Sequence, residues 1–410
     1  EARVTDPDKI QLAKLEELRV ALRCDMVRRM KADVMPELPP AVRVFETVEI
    51  KPNDRKAYDE AVDLLPGWIV AQVRYQIARK AGERMKIAAQ AGRDLSPHDA
   101  VLEVLSSAQA VSDDPKAKPP EPIRDAYGSE ARKAAYELMR TNLLTAYGYF
   151  RRFIGEAKAE DVAAVVLDYL QSSTKPTVVF AEHQKVLDYL GSVFEKAGKR
   201  TARIDGTVTG GKRDAIVADF QAGKYDVLIG SQAIKEGVDL TRADDSFFAE
   251  QWTNPSRIAQ AEARIHRADE FTLAKKASTY HHLYAPETID EDILALLAAK
   301  QAILGAVLGR EQVKAGALSV ERTGFLGGAL GRLEGDPQAA AEAIPTDAQV
   351  RAAERGALRA PKLKIGHIEI DGADYPSVGR FRKSGSASAR GTATDAEDLI
   401  LSEQVEDVLP

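Results

Sequence analysis

The sequence is poor in the residues that build covalent cross-links and metal sites. It has one cysteine, Cys24, so no disulfide can form within the chain, and its six histidines are scattered instead of clustered as zinc ligands would be. It also lacks any run of about 18 apolar residues, the length that a membrane-spanning helix needs. From these absences we expect a protein with no metal site and no membrane contact. No signal or transit peptide is visible, so we expect a location inside the cell, in the cytoplasm or on the nucleoid.

Positive charge is also short, because 57 lysines and arginines stand against 63 aspartates and glutamates, and the net charge is -6. An acidic surplus argues against a protein coated in nucleic acid, so any contact with DNA requires a local basic groove. The 410 residues, of which 44% are hydrophobic, can bury a substantial core in two or more units. The sequence begins at Glu1 without a methionine, which is typical of a fragment or a processed chain.

Short apolar runs alternate with amphipathic helical patterns in the middle of the chain. The runs 176–181, 227–229 and 247–249 have the length and the polar borders of buried parallel strands. Alternation of strand and helix predicts a parallel sheet with right-handed crossovers, and such sheets bind ligands at the carboxyl ends of their strands. The residues that the pattern places at these ends are Gly206, Gly230, Ser231, Gly237 and Glu250.

A helix that we expect to begin near Ser256 carries two arginines and a glutamine. Gln260, Arg264 and Arg267 follow the spacing i, i+4 and i+7, which predicts that they project from one helical face. Two guanidinium groups and an amide on one face are suited to bind an anion. The alternative is a solvated face on which the arginines pair with nearby carboxylates such as Glu262.

The motifs around this helix resemble motifs V and VI of the superfamily 2 helicases. Gly-Val-Asp-Leu at 237–240 is followed by Asn-Pro at 254–255 and by Gln-Ala-Glu-Ala-Arg-Ile-His-Arg at 260–267. The order is most similar to the Swi/Snf-type ATP-dependent DNA translocases, within them to the annealing-helicase branch, and it extends over about residues 28–309. Trp252 lies one residue earlier than the Swi/Snf pattern has it.

The resemblance implies an α/β fold, with a RecA-like parallel sheet flanked by helices, an inserted helical protrusion and a poorly structured C-terminal extension. Residues 1–60 would lead into the second lobe, and residues 61–160 would form the helical insertion. Residues 161–310 would form the RecA-like helicase C-terminal lobe. Residues 311–410 would form the extension, partly disordered because parts of it are low in sequence complexity.

The resemblance also implies roles at an ATP site between two lobes. Arg267 would be the arginine finger, Arg264 its neighbour on the phosphates, and Gln260 the residue that positions them. Gly237 would allow close approach of the backbone to the nucleotide, and Asp239, where the family usually has asparagine, would bond the ribose or hold an arginine. The cofactors would be ATP and Mg²⁺, held mainly by an N-terminal RecA-like lobe.

Contacts with double-stranded or forked DNA are expected at the carboxyl ends of the strands. On the resemblance, Gly206, Thr207 and Ser231 would bind the DNA backbone, since small residues let main-chain N–H groups reach phosphates. Gln232 and His183 would contribute from the same edge. Such contacts carry no sequence preference and weaken as salt is added.

The first-lobe motifs that hydrolyse ATP are not found in this sequence. Residues 206–213 almost spell a phosphate-binding loop, but Arg213 replaces the serine or threonine that would hold magnesium. No Asp-Glu-x-His follows an apolar strand. We therefore expect the N-terminal lobe to be absent from this chain, and the chain alone to hydrolyse little or no ATP.

Alternatives to a DNA translocase remain open on the sequence alone. The same lobe could belong to a motor that separates RNA or DNA strands, or to a restriction or phage-defence complex. It could also be a stand-alone DNA-binding or regulatory lobe without its own ATPase activity that lends its arginines to a partner. An unrelated parallel-sheet enzyme would require the ordered motifs to be a coincidence.

Overall fold

The structure is a computed structural model that describes residues 17–22, 31–109, 128–208, 210–235, 238–308 and 337–373. Gly237 and most of the C-terminal extension, including the predicted disorder there, lie outside these ranges. The chain divides into two compact units at Lys51/Pro52 and at Phe153/Ile154. We call the described residues 17–51 and 154–308 the sheet unit, and the described residues 52–153 and 337–373 the helical unit.

The secondary structure follows the predicted alternation of strands and helices. The described strands are β1 (Ala41–Thr47), β2 (Thr177–Phe180), β3 (Thr201–Ile204), β4 (Val227–Gly230), β5 (Asp245–Phe248), β6 (Ser278–Tyr284), β7 (Lys362–Ile365) and β8 (Ile368–Asp371). The α-helices that follow residue 30 in the described ranges are α1 (Lys31–Val34), α2 (Pro52–Gln90), α3 (Pro97–Gln109), α4 (Ser129–Ser172), α5 (Gln184–Lys196), α6 (Gly211–Gln221), α7 (Pro255–Ile265), α8 (Glu270–Leu273), α9 (Ile289–Leu308), α10 (Pro337–Glu342) and α11 (Asp347–Glu354).

The sheet unit contains a six-stranded sheet in the order β1-β6-β5-β2-β4-β3, and every pairing in it is parallel. Its register aligns the ends of four strands. Phe180 lies opposite both Gly230 and Phe248, and Gly230 lies opposite Ile204. The carboxyl ends of β3, β4, β2 and β5 therefore form one row, at which the loops of the predicted site begin.

Burial explains why the central strands are continuous apolar runs. All four residues of β2 and of β4 are buried, as expected of parallel strands covered on both faces. Helix α5 adds an apolar stripe to the same core, which consists of Val186, Leu187, Leu190 and Phe194. Each fully buried side chain of this kind contributes about 1.5–3 kcal/mol to stability. A parallel sheet covered by helices in this way confirms the predicted RecA-like class of fold.

Helix α4 crosses a boundary that the sequence analysis drew. It runs without interruption from Ser129 to Ser172, past residue 160, where the helical insertion was expected to end. Its second half is fixed to the sheet unit by the buried Lys158, whose Nζ donates to Asp290 Oδ2 at 2.6 Å and to the carbonyl of Leu283 at 2.8 Å. Removing one partner of such a buried ion pair lowers the stability of the fold by several kcal/mol.

The helical unit is built around α2, and the sequence analysis predicted none of the elements that its last part contributes. A Cβ on Gly82 would lie 2.6 Å from the backbone nitrogen of Glu354, so the glycine allows α11 to approach α2 closely. Gln72 Nε2 donates to the carbonyl of Gly372 at 3.0 Å. Thr346 and Gln349 form a complete capping box at the start of α11.

Two classes of site are absent from the described residues. None of the helices that the structure describes combines the length and the apolar character needed to cross a membrane. The same residues contain no group of three or more histidine, cysteine, aspartate or glutamate side chains arranged to hold a metal ion.

Candidate nucleotide and nucleic-acid site

Helix α7 begins one residue earlier than predicted. Asn254 is its N-cap, because the side-chain oxygen accepts from the backbone N–H of Ser256 at 2.9 Å and of Arg257 at 3.3 Å. Pro255 occupies the first helical position, where its missing N–H costs nothing. The helix therefore begins at Pro255 and not at Ser256, because asparagine before proline supplies the stronger start signal.

The end of α7 also differs from the predicted arrangement. The helix ends at Ile265, and His266, with φ -112° and ψ 89°, turns the chain out of the helical conformation. Arg267 thus lies beyond the helix, and the expected i, i+4, i+7 face does not extend to it. Its Nε still donates to the carbonyl of Ala263 at 3.3 Å, so the side chain folds back over the last turn.

Arg267 forms an ion pair with Asp239, the residue expected either to bond a ribose or to hold an arginine. Its Nη1 lies 2.5 Å from Asp239 Oδ1, and the two side chains are 43% and 51% exposed. The backbone N–H of Leu240 donates to the carbonyl of Arg264 at 2.8 Å, which attaches the loop carrying Asp239 to the end of α7. We call Lys31, Asp239, Arg264 and Arg267 the arginine cluster.

Lys31 adds a third cation to the arginine cluster. Its Nζ donates to the carbonyl of His266 at 2.8 Å, and the His266 ring bonds through Nε2 to the carbonyl of Pro39 at 2.8 Å. Partial burial lowers the pKa of Lys31, and the neighbouring positive charge of Arg267 lowers it further. Like charges held this close favour an anion between them.

Glu262, the carboxylate considered as an ordinary partner for the arginines, points into the sheet unit. It is buried and accepts from Nε and Nη2 of Arg43 on β1, at 2.6 and 2.7 Å. Burial alone would raise the pKa of Glu262, but the two hydrogen bonds from Arg43, together with the His282 ring 4.0 Å away, hold it below the usual range. This bidentate pair fastens α7 to the edge strand of the sheet.

A second polar group lies at the row of strand ends. Gln232, which follows β4, donates from Nε2 to Glu182 Oε1 at 3.0 Å and accepts at Oε1 from Arg257 Nη1 at 2.6 Å. We call Glu182, His183, Gln232, Glu250 and Arg257 the strand-end cluster. Its members come from the segments after β2, β4 and β5 and from the first turn of α7.

Glu250 is the buried anchor of the strand-end cluster. One carboxylate oxygen accepts from the backbone N–H groups of Glu182 at 2.6 Å and His183 at 2.9 Å, and the other lies 2.5 Å from His183 Nδ1. Burial would raise the pKa of Glu250, but attraction to His183 and these hydrogen bonds lower it to about 2. The carboxylate is therefore ionised at neutral pH and fixes the loop after β2.

A glycine in α4 makes room for this carboxylate. A Cβ on Gly155 would lie 2.3 Å from Glu250 Oε1, so no larger residue fits without moving the anchor. Glycine in a helix interior costs about 0.5–1 kcal/mol relative to alanine, a cost that this close approach explains. Sequence reasoning placed Glu250 at a strand end but did not identify its partners. The helical Gly155 was the available signal.

The loop after β3 is folded onto its own aspartate. Asp205 is buried and accepts from the backbone N–H of Thr207 at 2.8 Å and from its hydroxyl at 2.6 Å. The Thr207 N–H thus points inward, whereas a phosphate-binding loop would direct it to an outside ligand. Gly206 is exposed, and a Cβ there would meet nothing within 4 Å, so packing does not require this glycine.

The predicted site residues thus separate into two groups. Asp239 pairs with Arg267 at the end of α7, where the main-chain carbonyl of Arg264 accepts from the loop that carries Asp239. His183 and Gln232 lie at the strand ends, where His183 contacts Glu250 and Gln232 contacts Glu182 and Arg257. Gln260 is exposed on α7, and its role in positioning the arginines stays a prediction. Sequence reasoning missed Arg257 and Glu182, although a cation in the first turn of a helix is unfavourable by itself and was a readable signal. Ser231, Gly206 and Thr207 follow the neighbouring strands β4 and β3.

Comparison with known proteins assigns this region to a family. Residues 157–269 match the family described as "Helicase conserved C-terminal domain". The SWI/SNF-related matrix-associated actin-dependent regulator of chromatin subfamily A-like protein 1 of Xenopus tropicalis is 30% identical over 152 residues, and the DNA annealing helicase and endonuclease ZRANB3 of Mus musculus is 30% identical over 174 residues. This region is a Swi/Snf-type helicase C-terminal lobe.

The helicase C-terminal lobe accounts for only part of such proteins. The two matches cover 37% and 42% of this chain, and each covers 16% of the relative's length. The solved C-terminal part of the Fun30 ATPase domain is 17% identical, with a TM-score of 0.38, and its match covers 63% of this chain and 90% of that one. The family match over residues 157–269 and the relatives from Xenopus tropicalis and Mus musculus confirm the predicted family.

Proposed function

We propose that this helicase C-terminal lobe works in an ATP-dependent DNA translocase, where it completes an ATP site bound mainly by another RecA-like lobe. Arg267 acts as the arginine finger, and Arg264 contacts the phosphates beside it. Relatives named as a chromatin regulator and as a DNA annealing helicase support DNA as the substrate. ATP and its Mg²⁺ are held mainly by the other lobe, which carries the phosphate loop and the magnesium-binding carboxylate.

The observation that carries this proposal is the exposed ion pair between Arg267 and Asp239. Exposed pairs contribute about 0–1 kcal/mol, so a phosphate group that carries more charge can replace Asp239 at little cost. Before the phosphate binds, Asp239 holds the guanidinium of Arg267 in a defined position, which reduces the conformational entropy lost on binding. Lys31 raises the positive potential at the same place.

The chemistry that the arginine cluster supplies is electrostatic. During transfer of the γ-phosphoryl group to water, negative charge spreads over the equatorial oxygens, and a guanidinium beside them stabilises that charge. An arginine finger contributes about 10³ to 10⁵-fold in turnover. The loop 238–240 is attached to the end of α7, so closure of the lobes on ATP moves the finger and this loop together.

The DNA contacts in this proposal lie at the row of strand ends. Gly206, Thr207, Ser231, Gln232 and His183 face the backbone of a double-stranded or forked DNA, and repeated closure and opening of the two lobes shifts this grip along the duplex. Contacts with phosphates give no sequence preference and respond strongly to salt. The motor therefore moves along DNA irrespective of its sequence.

The test is Arg267→Ala in the protein that contains both lobes. DNA-stimulated ATP hydrolysis is expected to fall by about 10³ to 10⁵-fold, while duplex binding stays within about twofold, because the finger touches only phosphates of ATP. Arg200→Ala is the matched control, since Arg200 is an exposed arginine in an ion pair with Asp226 at the amino ends of the strands. Turnover near the wild-type rate in Arg267→Ala would overturn the assignment.

A further inference from the structure

A buried lysine fastens the end of α7, two residues before Arg267. Lys275 follows the short helix α8, and its Nζ donates to the carbonyl of Ala243 at 2.6 Å and to the carbonyl of Ile265 at 3.0 Å. Ile265 is the last residue of α7, and the carbonyls of a last turn have no partner within their own helix. An ammonium group at this end also interacts favourably with the helix dipole. Lys275 therefore caps α7 with its side chain.

The other carbonyl that Lys275 binds belongs to the turn that follows Asp239. The backbone N–H of Ala243 donates to the carbonyl of Leu240 at 3.1 Å, which closes this turn. The N–H of Leu240 donates to the carbonyl of Arg264 at 2.8 Å. Both ends of the turn are thus attached to the end of α7, one through the main chain and the other through Lys275.

The two segments that Lys275 joins carry the two members of the exposed ion pair. Asp239 precedes the turn and Arg267 follows α7, so these attachments set the distance between their main chains. Beyond α7, the carbonyl of Arg267 accepts from the backbone N–H of Asp269 at 3.0 Å, and Asp269 caps α8. The main chain of Arg267 is therefore held on both sides, while its side chain stays 43% exposed.

Burial of this ammonium group has a cost that its hydrogen bonds offset. Burial lowers the pKa of Lys275 to about 8, although attraction to Asp244 and Asp269 acts in the opposite direction. At pH 7 the group is therefore still protonated in most molecules. Hydrogen bonds from an ionised donor are roughly twice as strong as neutral ones, so the charge strengthens both attachments.

We propose that Lys275 is a positioning residue for Arg267, because its ammonium group joins the end of α7 to the turn after Asp239 and so holds the guanidinium in place for the phosphates of ATP. This inference rests on the proposed role of Arg267 as the arginine finger. Displacement of a catalytic group by about 1 Å can lower turnover by about 10²-fold. Because ATP is bound mainly by the other lobe, loss of Lys275 should lower kcat and leave the KM for ATP nearly unchanged.

The experiment measures DNA-stimulated ATP hydrolysis and thermal melting in the protein that contains both lobes. For Lys275→Met, which has a similar length but no N–H donor, we expect kcat to fall by about 10- to 100-fold and KM to stay within about twofold. Lys275→Arg restores charged donors, so its kcat should return to within about threefold of wild type. Lys199→Met is the matched control, since Lys199 also donates to a main-chain carbonyl, that of Leu170 at 3.4 Å, and should keep the wild-type kcat.

A double variant shows whether Lys275 acts through Arg267. With enzyme in excess over ATP, adding Lys275→Met to Arg267→Ala should lower the rate no further, because the guanidinium that Lys275 positions has been removed. Losses that multiply would overturn the proposal, since a lysine with a general structural role lowers the rate whichever residue stands at 267. Wild-type kcat in Lys275→Met would overturn it as well. Wild-type turnover in Arg267→Ala would instead show that the proposed finger itself is wrong.

The pH dependence of turnover is a second test, which does not require Lys275→Met to fold. The charged groups that act on Lys275 are Asp244 and Asp245 at the start of β5, Asp269 at the cap of α8 and Lys175 before β2. As the pH rises through about 8 the ammonium group loses its proton, so wild-type kcat should fall by about threefold. Lys275→Arg stays charged and should show no fall at this pH. An equal fall in both proteins would overturn the proposal.

Discussion

Two ion pairs of this lobe have the same N–O distance, but one pair is buried and the other is exposed to solvent. His183 and Glu250 are 2.5 Å apart with side chains 11% and 4% exposed, and Arg267 and Asp239 are 2.5 Å apart with side chains 43% and 51% exposed. In the buried pair every oxygen of the carboxylate is used by the protein, and the pKa of Glu250 falls to about 2. The N–O distance of an ion pair alone therefore says little about its function. The buried pair stabilises the fold, and the exposed pair is able to exchange partners.

The largest effect on stability is expected at the buried pair. Glu250→Ala leaves the His183 ring and two backbone N–H groups without their acceptor, so we expect the free energy of unfolding to fall by about 3–5 kcal/mol. Glu160→Ala is the matched control, because Glu160 forms a 2.6 Å ion pair with Lys51 but its side chain is 64% exposed. This variant should change the free energy of unfolding by less than about 1 kcal/mol. Urea denaturation measures both.

If Glu250→Ala and Glu160→Ala lowered the free energy of unfolding equally, burial would not be what makes the first pair stabilising. Glu250→Gln tests the role of the charge, since the amide keeps an acceptor of similar shape but is neutral. We expect Glu250→Gln to be less destabilising than Glu250→Ala and more destabilising than Glu160→Ala. The same variant should weaken duplex binding only if the loop at Glu182 moves.

A second prediction follows from the titration of Glu250. Its pKa is lowered in the folded state, so the stability it contributes is complete above the unfolded value of about 4.5 and is lost as the pH falls toward 2. A shift of this size corresponds to about 3 kcal/mol. The difference in unfolding free energy between wild type and Glu250→Gln should therefore shrink from pH 6 to pH 3, as measured by denaturant unfolding at each pH. A constant difference would mean that the charge of Glu250 is not the stabilising feature.

Local patterns in the sequence were sufficient for the strands and for the family, because both depend on short contiguous stretches. The fully buried β2 and β4 and the stripe on α5 follow from runs of apolar residues at the correct period. The pairing of Glu250 with His183 could not be derived, since the partners are 67 residues apart and the contact also depends on Gly155 in another element. Long-range pairing depends on topology, which composition and period do not encode.

The two errors at α7 have a common physical origin. Helical periodicity was extended to Arg267 although His266 has left the helical conformation, and the helix was expected to begin near Ser256 although Asn254 caps it one residue before the proline. The ends of helices are decided by single hydrogen bonds, whereas their interiors are decided by many residues. The same reason explains why the box at Thr346 and Gln349 was overlooked, although its spacing is visible in the sequence.

The smallest effect on stability is expected at the exposed pair of Arg267 and Asp239. Variants of this pair can therefore lose activity without losing stability. Asp239→Asn and Arg267→Ala should each change the free energy of unfolding by less than about 1 kcal/mol, because water replaces the lost partner. A double-mutant cycle over these two positions should give a coupling energy below about 1 kcal/mol, whereas a cycle over His183 and Glu250 should exceed it clearly. A coupling energy above about 2 kcal/mol for Arg267 and Asp239 would mean that the pair holds the fold, and a finger that must release Asp239 to reach ATP would then be excluded. A weak coupling together with the loss of turnover in Arg267→Ala would show that this arginine acts on the ligand and not on the lobe that carries it.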